Sequence, residues 1–157
     1  MMRRRPQASI RRDSMRVVSA WIAFALLAPA AAAHTQNGSL GATASATDQY
    51  QIVCFDSGSG PSQSISLEIL DSSPGALPQV SVHLQRGDDL VSASDTTAAD
   101  AAPSPEIGLN GSDGAYRVLV TKTGAGTKFY SLTVHCTTGP DGSGSHAGTS
   151  LSVLQNQ

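Results

Sequence analysis

The stretch DGAYRVLVTKTGAGTKFYSLTVHC, residues 113–136, alternates apolar and polar side chains on both sides of a turn that contains glycine. Alternation with a period of two is typical of β-strands that bury one face. The TGAG segment supplies the glycines that a tight reversal requires, so the sequence predicts a hairpin here. The side chains predicted to face inward are Tyr116, Val118, Val120, Tyr130, Leu132, Val134 and Cys136.

The same alternation occurs in other parts of the chain, six stretches in all, including DQYQIVCF, SISLEIL and QVSVHLQ. Clusters of Gly, Pro, Ser and Asp separate these stretches, and such clusters favour turns. No stretch after residue 33 shows a sustained helical period. We therefore expect an all-β protein with a single antiparallel β-sandwich or jelly-roll-like domain of about 7–8 strands.

Residues 1–33 have the layout of a secretory signal peptide. Six arginines precede the apolar run VVSAWIAFALLAPAAAA, which ends in small residues. This order of a basic segment, an apolar segment and an alanine-rich cleavage site defines such signals, whereas a membrane anchor needs about 20 apolar residues. Cleavage after Ala33 would leave His34 as the N-terminus, and cleavage after Ala32 would leave Ala33. Translation could start at Met1 or at Met15.

Cleavage would leave an acidic chain. Four basic and eleven acidic residues follow residue 33, which gives a formal net charge of −7. Nucleic acids and anionic membrane surfaces both select a basic footprint, so we expect neither as a partner. We also expect no stable membrane span after cleavage, and the periplasm or the extracellular medium as the destination.

The composition divides the remaining chain into three parts. Residues 34–46 and 137–157 are rich in small and polar residues and poor in residues that could form a core. They are predicted to be a flexible leader and a flexible Gly/Ser-rich tail. Residues 47–136 contain the alternating stretches and are predicted to form the β-sandwich domain.

Two cysteines lie on predicted inward rows, Cys54 on the first predicted strand and Cys136 on the last. In an exported chain, two cysteines favour a disulfide over two free thiols. Redox catalysis typically uses a close pair such as C-x-x-C, which this sequence lacks. We therefore interpret the pair as a structural disulfide.

Three segments together resemble one known module. TDQYQIVC is similar to the opening strand of the bacterial pre-peptidase C-terminal domain, QVSVHLQRGDDLVSASD to its central strand-turn-strand unit, and DGAYRVLV with KFYSLTV to its closing strands. The resemblance covers Thr47 to about Cys136. It implies a β-sandwich without catalytic residues that serves secretion, attachment to a substrate or surface, or the stability of a neighbouring domain.

Sandwiches of this kind in secreted collagenases bind calcium through acidic residues near the start of the domain. The resemblance thus suggests Asp48, Asp88 and Asp89 as speculative metal ligands. Calcium takes six to eight oxygen ligands around one point, and no loop with that spacing occurs in the sequence. We interpret the three residues as solvated acids in turns.

The sequence lacks the motifs of common catalytic sites. G-x-S-x-G, H-E-x-x-H and a phosphate-binding loop are all absent. His83 and His135 lie in mid-strand with outward phase, and His146 lies in the predicted tail, so each is interpreted as a lone surface histidine. We expect no enzymatic activity and no cofactor.

His34 allows one alternative. After cleavage behind Ala33 it would offer both its α-amine and its imidazole, a pair of nitrogen ligands that suits copper(II). Such a site needs a second histidine nearby, and a flexible leader would lose conformational entropy on forming it. We therefore expect a non-catalytic module for interaction or surface association, whose partner is an unknown protein or a cell-surface ligand. The alternative is a small periplasmic protein that binds copper or calcium.

Overall fold

The computed structural model describes residues 34–157. The predicted signal peptide and its cleavage site up to Ala33 lie outside the described residues. Among residues 34–157, no helix is long and apolar enough to cross a membrane.

The described chain forms nine β-strands, which confirms the predicted all-β sandwich and exceeds the expected strand number by one or two. They are β1 (His34–Leu40), β2 (Asp48–Phe55), β3 (Ser64–Asp71), β4 (Val80–Arg86), β5 (Asp89–Asp95), β6 (Ile107–Asn110), β7 (Gly114–Lys122), β8 (Lys128–Thr137) and β9 (Gly148–Gln155). One sheet has the order β1-β8-β3-β6 and the other the order β5-β4-β7-β2-β9. Neighbouring strands in both sheets are antiparallel.

The core lies between the two sheets and consists of the residues whose alternation predicted an inward face. Every such position in β2, β3, β4, β7 and β8 is buried, with at most 2% of its surface exposed. These residues are Tyr50, Ile52, Cys54, Ile65, Leu67, Ile69, Val80, Val82, Leu84, Tyr116, Val118, Val120, Tyr130, Leu132, Val134 and Cys136.

The predicted hairpin of residues 113–136 is wrong, although the phase of both its strands is right. β7 pairs with β2 and β4 in the five-stranded sheet, whereas β8 pairs with β1 and β3 in the other sheet. The glycine-containing TGAG segment therefore carries the chain from one sheet to the other. Alternation identifies the buried face of a strand, and strands that face each other across a core show the same alternation as strands that pair.

The predicted disulfide is present. Cys54 and Cys136 are bonded, with their Cα atoms 5.7 Å apart. Because β2 and β8 belong to different sheets, the bond joins the two layers directly. These are the second and eighth strands of the fold rather than the first and last. A disulfide is compatible with an exported protein.

The structure corrects the predicted flexible leader. Residues 34–40 form β1, which pairs with β8 from His34 opposite Val134 to Leu40 opposite Lys128. Leu40 is the one large apolar residue of this strand and is fully buried. At Gly38, a side chain would overlap the ring of Tyr130. Backbone pairing and the buried side chain of Leu40 hold this edge strand in place. Because it contributes no row of buried apolar side chains, its sequence shows no apolar alternation.

The structure also corrects the predicted flexible tail. β9 pairs with β2 along most of its length, from Gly148 opposite Phe55 to Gln155 opposite Gln49. Before it, the backbone of Thr138 donates a hydrogen bond to Ser145 O (2.9 Å), and a short 3-10 turn spans Pro140–Gly142. The glycines and serines of residues 137–147 thus form an ordered connection, although their composition is that of a disordered segment.

Candidate functional site

Asp48, one of the acids considered for calcium, is fully buried inside the sandwich. Its Oδ2 accepts a hydrogen bond from the Tyr130 hydroxyl (2.5 Å), and its Oδ1 accepts one from the backbone N–H of Gln157 (2.7 Å). The Tyr50 hydroxyl lies 2.5 Å from that of Tyr130. Burial and the bond to Asp48 raise the pKa of Tyr130, which keeps its hydroxyl protonated. Asp48 therefore has a structural role, which is to join the end of the chain to the core.

Asp88 and Asp89 are exposed at the turn between β4 and β5. Asp48 on β2 is separated from β5 by the strands β7 and β4. The register pairs Asp48 with Val120, Val120 with Val82, and Val82 with Ala93. Asp48 is therefore three strands from β5 and level with Ala93. Asp89 lies four residues before Ala93. At about 3.3 Å per residue along a strand and about 4.8 Å between strands, these acids do not converge.

A second buried charge is likewise paired. The ammonium of Lys128 lies 2.8 Å from Asp71 Oδ2, and both side chains are almost fully buried. Lys128 also donates a hydrogen bond to Gly75 O (2.7 Å), while Asp95 accepts the backbone N–H of Asp71 (2.7 Å). This pair ties β8 to β3, and its hydrogen-bonding capacity is taken up within the fold.

Three of the four histidines meet at one end of the sandwich. The rings of His34 and His146 are stacked with their centroids 5.8 Å apart. The ring of His135 meets that of His146 edge to face, with centroids 5.9 Å apart. We refer to His34, His135 and His146 as the histidine cluster. Its members come from the first residue of β1, from β8, and from the connection between β8 and β9.

The backbone fixes the position of each member. The register of β1 places His34 opposite Val134, next to His135 in the sequence. His146 forms an isolated bridge with Thr137, and the backbone N–H of Ala147 donates to Cys136 O (2.8 Å). Because Cys136 is also held by the disulfide, the inter-sheet bond lies directly beside the cluster.

His146 lies between the other two rings and has an unusual environment. Its Nε2 is buried and has no hydrogen-bond partner. Burial lowers the pKa of His146 below its usual value. A hydrogen bond with the backbone of Ala147 acts in the opposite direction, and the neighbouring imidazoles of His135 and His34 lower the pKa further. The neutral imidazole, which is the form that binds metals, is therefore favoured. A buried polar atom without a partner costs free energy that a ligand can recover.

The spacing of the rings is within reach of a shared metal ion. A transition-metal ion binds an imidazole nitrogen at about 2.0–2.1 Å, so two rings on one ion have centroids at most about 6.4 Å apart. Within residues 34–157, no group of three or more His, Cys, Asp and Glu side chains stands in a position to hold a metal ion. Binding of one ion by these rings would therefore require the stacked pair to rotate.

A groove of about 290 Å³ borders two members of the cluster. Its lining includes His135 and His146, with Ser66, Thr137 and Glu106 around them. Glu106 is the acidic residue of this groove, and an acid near a cation site favours the bound cation electrostatically.

His83, the fourth histidine, is not part of the cluster. It lies on β4 in the five-stranded sheet, and its Nε2 is 3.0 Å from the hydroxyl of Thr121. This agrees with its interpretation as a lone surface histidine. For His135 and His146 that interpretation is wrong, because their two rings meet edge to face and the ring of His34 stacks on that of His146. The histidine at the predicted cleavage site is a cue to this arrangement, but long-range pairing determines which residues join it.

Comparisons with known proteins do not assign the chain to a family. No protein-family model matches the chain, and no curated protein sequence matches it significantly.

Proposed function

We propose that the protein is a small exported metal-binding β-sandwich that holds copper(II) at the histidine cluster. The observation that carries this proposal is the buried Nε2 of His146, which lacks a hydrogen-bond partner and lies between the rings of His34 and His135. This choice departs from the expectation of an interaction module without a metal, because the cluster supplies the second histidine that His34 lacked on sequence grounds.

The ligand type selects the metal. Imidazole suits zinc, copper, iron and nickel, and among divalent first-row ions copper(II) generally binds nitrogen ligands most tightly. Calcium takes oxygen ligands, and the three acids considered for it lie apart or are engaged inside the core. The proposal is therefore a nitrogen site for copper(II) and not an oxygen site for calcium.

The inter-sheet disulfide and the signal-like N-terminus support a location outside the cytoplasm, in the periplasm or the medium. The proposed role there is binding of the metal, without a reaction.

The test is a copper(II) competition titration of the protein starting at His34, compared with three single variants. His146→Ala and His135→Ala are each expected to weaken binding at least about tenfold, the loss typical of a disturbed metal site. His83→Ala is the matched control, since it removes an imidazole from the other sheet, and its affinity should equal that of the wild type. Equal affinities in all four proteins would contradict the proposal.

A second candidate function, interaction with a partner, is favoured by the strand β9. It is one of the two edge strands of the five-stranded sheet, and its sequence GTSLSVLQ contains neither a charge nor a proline. Val153 and Leu154 are 51% and 53% exposed. Natural edge strands are usually protected by charges or proline, and an unprotected edge can accept a strand of another protein. The resemblance to the pre-peptidase C-terminal domain, which is itself a proposal, also supports this function.

The test of this second candidate is binding of labelled protein to the surface of the producing cells. Val153→Lys places a charge on the edge strand and should abolish binding. Gln51→Lys, which adds the same charge to the exposed face of β2, should leave it unchanged. Absence of binding by the wild type, or equal binding by Val153→Lys, would exclude strand addition at β9.

A further inference from the structure

We propose that cleavage after Ala33 completes the copper site, because it creates the α-amine of His34 as a fourth nitrogen ligand. This inference rests on the proposed function. It makes export the step that turns a weak cluster of imidazoles into a tight chelating site.

The register of β1 places the new amine at the cluster. His34 lies opposite Val134, and successive antiparallel pairs run Thr35 with Thr133 and Gln36 with Leu132. Because β1 and β8 are antiparallel and Val134 directly precedes His135, the backbone nitrogen of His34 lies at the end of β1 nearest His135. His146 is the ring stacked on His34 itself.

The chemistry of this nitrogen changes on cleavage. In the uncleaved chain it is a peptide nitrogen, whose lone pair is delocalised into the carbonyl, so it is a poor metal ligand while it keeps its proton. As a free amine it binds copper(II) after release of the ammonium proton. The amine and Nδ1 of the same histidine then close a six-membered chelate ring with the metal.

With the imidazoles of His135 and His146, the chelate gives four nitrogen donors. Copper(II) prefers a tetragonal set of nitrogen and oxygen ligands, and tetrahedral sites favour zinc. A chain cleaved after Ala32 would carry its amine on Ala33, and copper(II) would displace the proton of the His34 peptide nitrogen to join that amine to the imidazole. The terminus alone would then occupy three of the four positions on the metal and leave one for His135 and His146. The position of cleavage thus determines which chelate forms.

The experiment compares three proteins that are identical from His34 onward. The first begins with free His34, the second carries an acetyl group on the same nitrogen, and the third retains Ala33. Linking two binding groups raises affinity by about 10² to 10⁴, so the free form should bind copper(II) at least about 100-fold more tightly than the acetylated form. Its electron paramagnetic resonance spectrum should also differ from those of the other two proteins.

The outcomes separate this inference from the proposed function. Equal affinity in the free and acetylated forms, each weakened by His146→Ala, would overturn the role of the amine and leave the imidazole site standing. Tight binding by the free form that His146→Ala does not weaken would show a chelate of the terminus alone, and would overturn both proposals. If the free form binds copper(II) much more tightly and His146→Ala removes this difference, both proposals are supported.

Discussion

Different interactions hold the five inner strands that form the core and the two terminal strands, β1 and β9. β2, β3, β4, β7 and β8 contribute rows of fully buried apolar side chains, and the disulfide joins two of them across the core. β1 buries one large apolar residue, Leu40, and every residue of β9 after Thr149 is at least partly exposed. Yet β1 and the segment leading into β9 supply two of the three clustered histidines.

The difference teaches that stability and the candidate site are located in different parts of the fold. Burial of apolar surface holds the inner strands, whereas backbone pairing along their edges holds the terminal strands. Changes to the inner rows should therefore alter the free energy of unfolding strongly. Changes to the histidine cluster should alter copper binding with little effect on that free energy.

The largest effect is expected from removal of the disulfide. In the chain-entropy model, closing a loop between cysteines 82 residues apart stabilises the fold by about 4 kcal/mol. The double variant Cys54→Ala/Cys136→Ala should lose about this much in urea unfolding. The wild type should also react with no thiol reagent until it is unfolded and reduced. Two reactive thiols in the native exported protein would contradict the account of an inter-sheet bond.

The next effect tests the contrast between the two faces of an inner strand. Tyr116→Ala should destabilise the fold by about 3 kcal/mol, since the side chain is 2% exposed and accepts a hydrogen bond from Arg86 (2.6 Å). Arg117→Ala, the neighbour on the exposed face, should change the free energy of unfolding by less than about 0.5 kcal/mol. Similar losses in urea melts of both variants would show that the faces are not distinct.

A smaller effect is expected in β1, and it tests whether this strand is docked. Gly38→Ala places a methyl group against the Tyr130 ring and should cost about 2 kcal/mol, the usual scale of overpacking. Gly41→Ala, just after the strand, meets the Gln157 backbone at an ordinary 3.5 Å and should cost less than about 0.5 kcal/mol. If β1 were a flexible leader, thermal melts would show the two variants to be equally stable.

The sequence predicted the fold wherever apolar alternation encodes it. The inward phase of Tyr116 and Tyr130 was correct, and so was the disulfide, because both follow from a period of two. The same pattern could not tell a hairpin from two strands facing each other across the core. It also missed β1 and β9, because edge strands with few buried side chains lack the pattern.

The candidate site was harder to predict than the core. His34 was identified from the signal peptide, but His135 and His146 were treated as separate residues on a strand and in a tail. They meet for two reasons. β1 pairs with β8, which is far from it in the sequence, and Thr137 forms a β-bridge with His146 across a glycine-rich segment. The acids suggested by the family resemblance do not form a shared site. Asp48 accepts a hydrogen bond from Tyr130 in the core, whereas Asp88 and Asp89 are exposed near the turn between β4 and β5.

The most direct test of the central claim is urea unfolding of the protein starting at His34, with and without copper(II). A ligand that binds only the folded state adds about 2.7 kcal/mol at 100 times its dissociation constant, and binding to the unfolded terminus reduces this gain. We predict a gain of about 1 to 2.7 kcal/mol in the wild type and in His83→Ala, and its loss in His146→Ala. No gain in the wild type, or an equal gain in His146→Ala, would contradict the claim that the fold assembles the histidine cluster into a copper site.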